Sequence, residues 1–389
     1  MQNKSATPAL TPKQAAAVAS GVYLLRNMTV AEATSQRLDL GCEGIFQIGG
    51  NSRFQGRSGA ALYRPLSGFG YITEGVGEFK GHILCATRGT DTIADWLTDF
   101  CVGMHAGPSG SQVHIGFHET WKSYIDEVRK FLRDKNPTHI HCVGHSLGGA
   151  LAMLNADYFA SNKVAPVTVY TFGAPRVGSS TFSSVLTQRA ANIFRVSHVA
   201  DPVAMIPTAP FFHAPYASAS RVVGSGLFSF AAHKMVKSYV PLVQGLSWGN
   251  FPTDATQVPD EKVKVWLASA ASAGVVKMYS AHALHMIGAS LQWLLKQVGY
   301  ALGAGIATLT AGFTVLDRIA WMLHQGIKLT KELSGYGLAL IGAVMRFLGR
   351  AANTAQELTI QYLRWVFSLL FTTISTAASL AVGFANRGD

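Results

Sequence analysis

Gly144-His145-Ser146-Leu147-Gly148 sets one serine between two glycines. This G-x-S-x-G spacing suits a sharp strand-to-helix turn in which small neighbours avoid the backbone and the serine oxygen projects towards substrate. A serine hydroxyl attacks an acyl carbon only with a base beside it and an acid to orient that base. Asp201 in "FRVSHVADPV" follows an apolar, β-branched run and precedes a proline that stops it, which suits the acid; the competing role is an ordinary Asp-Pro turn. Asp157 falls on the helix after the serine and reads as a surface residue, while Asp95 and Asp99 precede the serine and belong to another feature. The base should follow Asp201 on a loop or helix start. His233 in "AAHKMVKSYV" heads a predicted helix with Met235, Val236, Tyr239 and Val240 on its apolar side. His213 in "PFFHAP", amid prolines, is the alternative. His145 reads as a packing residue beside the serine, and His282 and His285 lie one helical turn apart with no third metal ligand in view.

These groups need a scaffold. Ile140–Val143 is a short apolar run suited to a buried strand, and Leu147, Leu151, Leu154 and Tyr158 recur at three- and four-residue spacing, as on one helix face. Ser146 therefore sits at a helix start, where free N–H groups face developing negative charge. "PVTVYTFGAP" and "NIFRVSHVADP" are two further strands ending in loops, and "ETWKSYIDEVRKFLRDK" is helix-like. Between Gly41 and Thr90, glycines separate short β-like pieces. Residues 10–36 read as two short helices, the first capped by Thr11 with Pro12 at its opening position. Strands alternating with helices argue an α/β sheet.

The 389 residues carry a formal net charge of +11, yet only 14% are charged and no Lys/Arg run occurs, so nucleic acid is not an expected partner. The four cysteines, Cys42, Cys85, Cys101 and Cys142, show no metal-binding spacing; Cys85 and Cys142 sit in apolar runs as buried thiols. "MQNKSATPALTPKQ" has no apolar core after a basic start, so a route without a cleavable signal peptide is expected if the protein leaves its cell. After about Pro259 the chain turns almost wholly helix-like. Gln297–Leu316 and Trp365–Asn386 hold no charged residue and are about long enough to cross a bilayer. Gly299 and Gly303 form a G-x-x-x-G spacing, and Lys296, Arg318, Arg346, Arg364 and Arg387 flank the apolar runs, placed to meet anionic head groups.

Five blocks in order, "LCATRGTDTIADWLTDF", "VHIGFHETW", "HCVGHSLGGALA", "VYTFGAPRVG" and "VSHVADPVAMIP", resemble the successive motifs of the class 3 (fungal-type) lipases over roughly residues 80–240. The resemblance implies an α/β-hydrolase fold of the class 3 lipase type, with Ser146, Asp201 and His233 as the triad. It implies an oxyanion hole from Thr90 and the backbone N–H of Leu147, a structural role for Arg88-Gly89 in that turn, and no metal or organic cofactor. It also implies a lid over about Asp91–Met104 bearing Trp96; read from the residues alone, this stretch has an apolar face (Ile93, Trp96, Leu97, Phe100) and suits a cover or an ordinary core helix.

The expected organisation is a helical segment at 1–40 packing on the hydrolase, a hydrolase domain at 41–260, and a hydrophobic all-helical C-terminal region at 261–389, either entering a membrane or packing as a bundle. The expected activity is release of fatty acid from glycerolipids, as a phospholipase A acting at a membrane surface or as a triacylglycerol lipase. A non-enzymatic, pore-forming protein on a hydrolase scaffold is the alternative of another class. More loosely, the chain resembles the lipase effectors that bacteria deliver into rivals by type VI secretion, which would imply an immunity protein or secretion partner and action at a target membrane.

Overall fold

The computed structural model describes residues 7–35, 39–57, 66–89, 103–225, 228–255, 257–272, 280–302, 314–351 and 358–385. Its centre is a nine-stranded sheet ordered β1-β3-β4-β7-β8-β9-β10-β11, with β2 paired to β3. The strands are β1 (Phe46–Gln47), β2 (Arg53–Arg57), β3 (Leu66–Gly75), β4 (His82–Thr87), β7 (His139–His145), β8 (Val167–Phe172), β9 (Asn192–His198), β10 (Ala219–Val223) and β11 (Thr253–Ala255); β5 (Met104–Ala106) and β6 (Gln112–His114) form a separate ribbon. From β4 through β10 all pairs are parallel; β3 on β4 and β11 on β10 are antiparallel. Parallel strands covered on both faces need continuous apolar runs, and β4, β7 and β8 are buried along their whole lengths. This is the expected α/β-hydrolase arrangement with a helical C-terminal region.

One face is covered by α3 (Ile115–Lys122), α4 (Ile125–Leu132), α5 (Leu147–Ser161) and α6 (Ser180–Arg189). The helix-like stretch at 119–135 is thus two helices, divided at Ser123-Tyr124. The other face is covered by the N-terminal segment. There α1 (Pro12–Gly21) starts on a capping box between Thr11 and Gln14, and α2 (Val30–Ser35) follows a 3₁₀ turn. Ala15, Val18, Ala19 and Val22 pack with Tyr71, Leu84, Val143 and Tyr170 of the sheet. Cys42, Cys85 and Cys142 are free and buried.

The C-terminal helices α7 (Asp260–Ser272), α8 (Ala281–Leu302), α9 (Val315–Leu329), α10 (Lys331–Phe347) and α11 (Ile360–Ala385) share one hydrophobic core, which includes Val203, Ile206 and Ala209 of the hydrolase body. They pack as a bundle on the sheet domain. Among the described residues one helix, Ile360–Phe384, is long and apolar enough to cross a membrane, and 56% of its most apolar window is buried in the bundle. The apolar stretch at 297–316 falls largely outside the described residues.

Three histidines lie buried on the face covered by α1. His82 Nδ1 is 2.9 Å from His141 Nε2, His141 Nδ1 is 3.1 Å from the Tyr170 hydroxyl, and His139 Nε2 is 2.8 Å from Thr168 Oγ1. Tyr170 in turn accepts the N–H of Leu10, which leads into α1. Burial pushes His139 down to about 4 and His141 to about 2, with neighbouring imidazoles adding to the shift. A depressed histidine stabilises the fold fully above its unfolded pKa near 6.5, and that contribution is lost as the pH falls towards the folded value. Each such group costs on the order of 2 kcal/mol by pH 4.5. The thermal midpoint is expected to be level from pH 8 to 7 and to fall by about 10 °C by pH 4.5. A midpoint unchanged over that interval in a scanning-fluorimetry series contradicts the neutral, buried cluster.

Candidate active site

Ser146 sits between β7 and α5 with φ 58° and ψ −131°, a region that L side chains rarely adopt. A side chain at 144 would collide with the carbonyl of Gly148, and one at 148 with the carbonyl of Thr87, so the two glycines are what allow the turn to close. Thr87 Oγ1 donates to the Gly148 carbonyl at 2.7 Å, tying β4 to the same turn.

The loop ends beyond β9 and β10 bring the partners. His233 Nε2 lies 2.9 Å from Ser146 Oγ, and His233 Nδ1 lies 2.9 Å from Asp201 Oδ2. All three are buried, Ser146 being 2% exposed. The carboxylate accepts on Oδ2, so Nδ1 carries the proton and Nε2 is free to accept from the serine hydroxyl. Asp201 also accepts the Tyr239 hydroxyl on Oδ2 at 2.7 Å and the Val203 N–H on Oδ1 at 2.9 Å. Burial alone would raise this carboxyl, but the charge and hydrogen bond of His233, with Tyr239, outweigh it and hold Asp201 below the usual carboxylate range. Tyr239 is itself fixed by the His198 N–H, which donates to its oxygen at 3.0 Å.

His145 is more than packing. Its Nε2 is 2.8 Å from the His233 carbonyl and its Nδ1 is 2.8 Å from the Tyr23 hydroxyl. Burial, then the adjacent His233, pushes it down to about 3, so it stays neutral. A carbonyl only accepts, hence Nε2–H donates to His233 and Nδ1 accepts from Tyr23. The Tyr23 oxygen accepts the Gly89 N–H at 3.1 Å. The N-terminal segment is thereby joined to both the Arg88-Gly89 turn and the histidine backbone. Arg88 donates to Gly68 and Ser67 of β3 and stacks its guanidinium over Phe69, the structural role expected of it.

The remaining candidates sort as follows. Leu147 opens α5, so its N–H is among those without an intrahelical acceptor and faces the serine end of the turn. Thr90 and Trp96, with Asp95, Asp99 and nearly all of the lid stretch, lie outside the described residues. His213 Nε2 pairs with Arg195 Nη2 at 3.1 Å, away from the serine–histidine–aspartate line. Asp157 departs from its surface reading: it is fully buried, and its Oδ2 accepts the Ser109 N–H at 2.9 Å because the loop after β5 folds over α5. The helix following His233 also differs. His233 ends a 3₁₀ turn, Phe230–His233, and a wide helical turn, Met235–Tyr239, follows it. That geometry points Val236 outward, 49% exposed, while Met235 and Tyr239 stay buried. His282 and His285 both fall on α8, and no group of three metal-ligating residues occurs among the described residues. Tyr23 and Tyr239 are site residues that carry no motif; only their contacts in the fold reveal them.

A family model described as Lipase (class 3) matches residues 84–211. A secreted mono- and diacylglycerol lipase of Fusarium solani is 35% identical over 34% of this chain and 41% of its own length. A phospholipase A1 of Oryza sativa subsp. indica is 43% identical over 36% of this chain and 40% of its own. The chain spans less than half the length of these curated relatives. Among solved structures, lipase II of Rhizopus niveus aligns with 20% identity and a TM-score of 0.41, covering 55% of this chain and 81% of that one. Residues 84–211, which hold Ser146 and Asp201, are thus similar to the class 3 lipases.

Proposed function

We propose that the protein is a serine carboxylic ester hydrolase that releases fatty acid from glycerolipids, and that its preferred substrate is a phospholipid at a membrane surface. The observation that carries the hydrolase reading is the unbroken line Ser146–His233–Asp201 at hydrogen-bond distances. His233 Nε2 takes the proton as Ser146 Oγ attacks the ester carbonyl. The tetrahedral oxyanion is held by the Leu147 N–H, with Thr90 as the second expected donor, each worth about 3 kcal/mol in comparable sites. His233 then protonates the leaving glyceryl oxygen, and water activated by the same imidazole frees the fatty acid. Asp201 keeps the tautomer and balances the transient imidazolium. Burial of Ser146 means that a movement opening the site precedes substrate entry.

Surface chemistry beside His233 supports phospholipid over an oil droplet. Helix α11 packs across the Phe230–His233 turn, and Lys234 Nζ lies 4.8 Å from the Phe384 ring centroid. Phe230, Val236, Leu380 and Phe384 are exposed large apolar side chains on these two segments. Residues 228–250 and 360–385 contain no aspartate or glutamate; Lys237 is exposed there, while Lys234 is buried and Arg364 pairs with Asp317 at 2.9 Å. Such a surface favours an anionic bilayer.

The test is product analysis by mass from phosphatidylcholine/phosphatidylglycerol vesicles and from a triolein emulsion. Wild type should yield lysophospholipid and fatty acid from the vesicles at least tenfold faster than fatty acid from triolein. The reverse order makes it a triacylglycerol lipase. Dye leakage from vesicles treated with Ser146→Ala, at the wild-type rate, would instead favour the pore.

A further inference from the structure

Two arginines and two histidines meet where the hydrolase body joins the C-terminal helices. A small cavity of about 20 Å³, open to solvent on one side, is lined by Arg176, Phe212, His213, Tyr216, Gln257, Val258, His285, Ala289 and Gln292. Arg176 comes from the loop after β8, His213 from the loop after Asp201, and His285, Ala289 and Gln292 from one face of α8. Among the described residues no carboxylate lines it.

The charges here are unusually short of counter-charge. Arg176 Nη1 donates to the carbonyls of Met205 and Pro207, both neutral acceptors. Arg195, directly behind His213, donates to Ser197, Ser220, the Ala204 carbonyl and His213 Nε2, again all neutral. Neither guanidinium forms an ion pair among the described residues. Arg176 Nε, Arg195 Nε and His213 Nδ1 are buried without a hydrogen-bond partner there. Two carboxylates act on the group from a distance. Asp254 raises His285, and Asp201 acts on Arg195 but is already engaged by His233 and Tyr239. Burial and the mutual repulsion of the two guanidiniums lower Arg176 to about 9. A buried positive charge is costly without a paired negative one.

We propose that this pocket binds a phosphate group, held between the hydrolase body and α8. Donors on three separate elements suit the several outward oxygens of a tetrahedral anion, whereas a planar carboxylate is satisfied by one guanidinium fork. Free phosphate and a lipid-borne phosphate share this chemistry. Because the pocket draws on both the hydrolase and α8, its ligand ties the helical region to the sheet domain. Among the described residues no hydrogen bond joins its lining residues to the triad side chains, so the site stands apart from the ester-hydrolysis reading.

The experiment uses the full chain in scanning fluorimetry and calorimetry, titrated with inorganic phosphate, with glycerol 3-phosphate, and with sodium chloride matched for ionic strength. Both phosphates should raise the thermal midpoint saturably, and chloride should not. A response to inorganic phosphate alone would mean a free-phosphate site; a response to both admits a lipid head group. Ala289→Glu brings a carboxylate into the cavity from within the protein. It should raise the midpoint without added anion and abolish the phosphate increment. His285→Gln, which keeps the size but removes the imidazole, should weaken phosphate binding at least fivefold. Hydrolysis of a soluble short-chain ester, measured in parallel, reports on the triad separately. Equal responses to phosphate and chloride, or a full phosphate response in both variants, would overturn the proposal.

Discussion

Ser146→Ala is expected to lower ester turnover by about 10⁴-fold or more, to the level left by binding and oxyanion contacts alone. The hydroxyl is the only atom of the Ser146 side chain that could form an acyl bond, and it is the one held 2.9 Å from His233 Nε2. Alanine removes one oxygen from a turn whose strain lies in its backbone, so the variant should fold and melt close to wild type. Initial rates on a soluble p-nitrophenyl butyrate assay, with circular dichroism beside them, separate lost chemistry from lost fold. A variant retaining a tenth of wild-type turnover would refute the nucleophile.

Asp201→Asn should cost nearly as much, about 10⁴-fold in kcat at neutral pH. The reason is the tautomer. The carboxylate accepts from His233 Nδ1 at 2.9 Å, which leaves Nε2 as the acceptor facing Ser146. An asparagine can present its NH₂ to Nδ1; the imidazole then carries its proton on Nε2 and cannot take one from serine. The loss should therefore fall on kcat, with KM nearly unchanged. Because the lost element is a base, turnover should recover partly as pH rises and hydroxide substitutes for it. Asp201→Ala would confound this by leaving the Tyr239 and His233 donors buried and unpaired. A kcat within threefold of wild type in Asp201→Asn would mean that another group orients the histidine.

Much of this site is legible in the chain because its parts are local. The glycines flanking Ser146 are required by contacts made within one turn, and the strand before and helix after it follow from short-range periodicity. Asp201 is legible from the proline that stops its strand. His233 is harder: its rival His213 is equally loop-borne, and only the reach of the chain beyond β10 decides which imidazole meets Ser146. Asp157 shows the limit, since its burial comes from Ser109, 48 residues earlier, folding over the helix. Regular helical spacing places Val236 on the apolar side, and the wider turn after His233 rotates it outward. Tyr23 and Tyr239 are invisible to motif reading because a tyrosine in an apolar segment has the same signature whether its hydroxyl is idle or, as here, bonded to His145 and Asp201. For the C-terminal region, apolarity is legible but its partner is not. The same uncharged helix fits a bilayer or a bundle by composition, and in the folded chain α11 packs with α9 and with the turn bearing His233.

The central claim is that Ser146 is an activated nucleophile. It is tested most directly by treating the native protein with a fluorophosphonate and mapping the adduct by peptide mass. The account predicts one phosphonyl group per chain, on Ser146, with hydrolysis lost in step with labelling and no labelling of His233→Ala on the same timescale. An adduct on any other residue, or full turnover from protein labelled at Ser146, would contradict it.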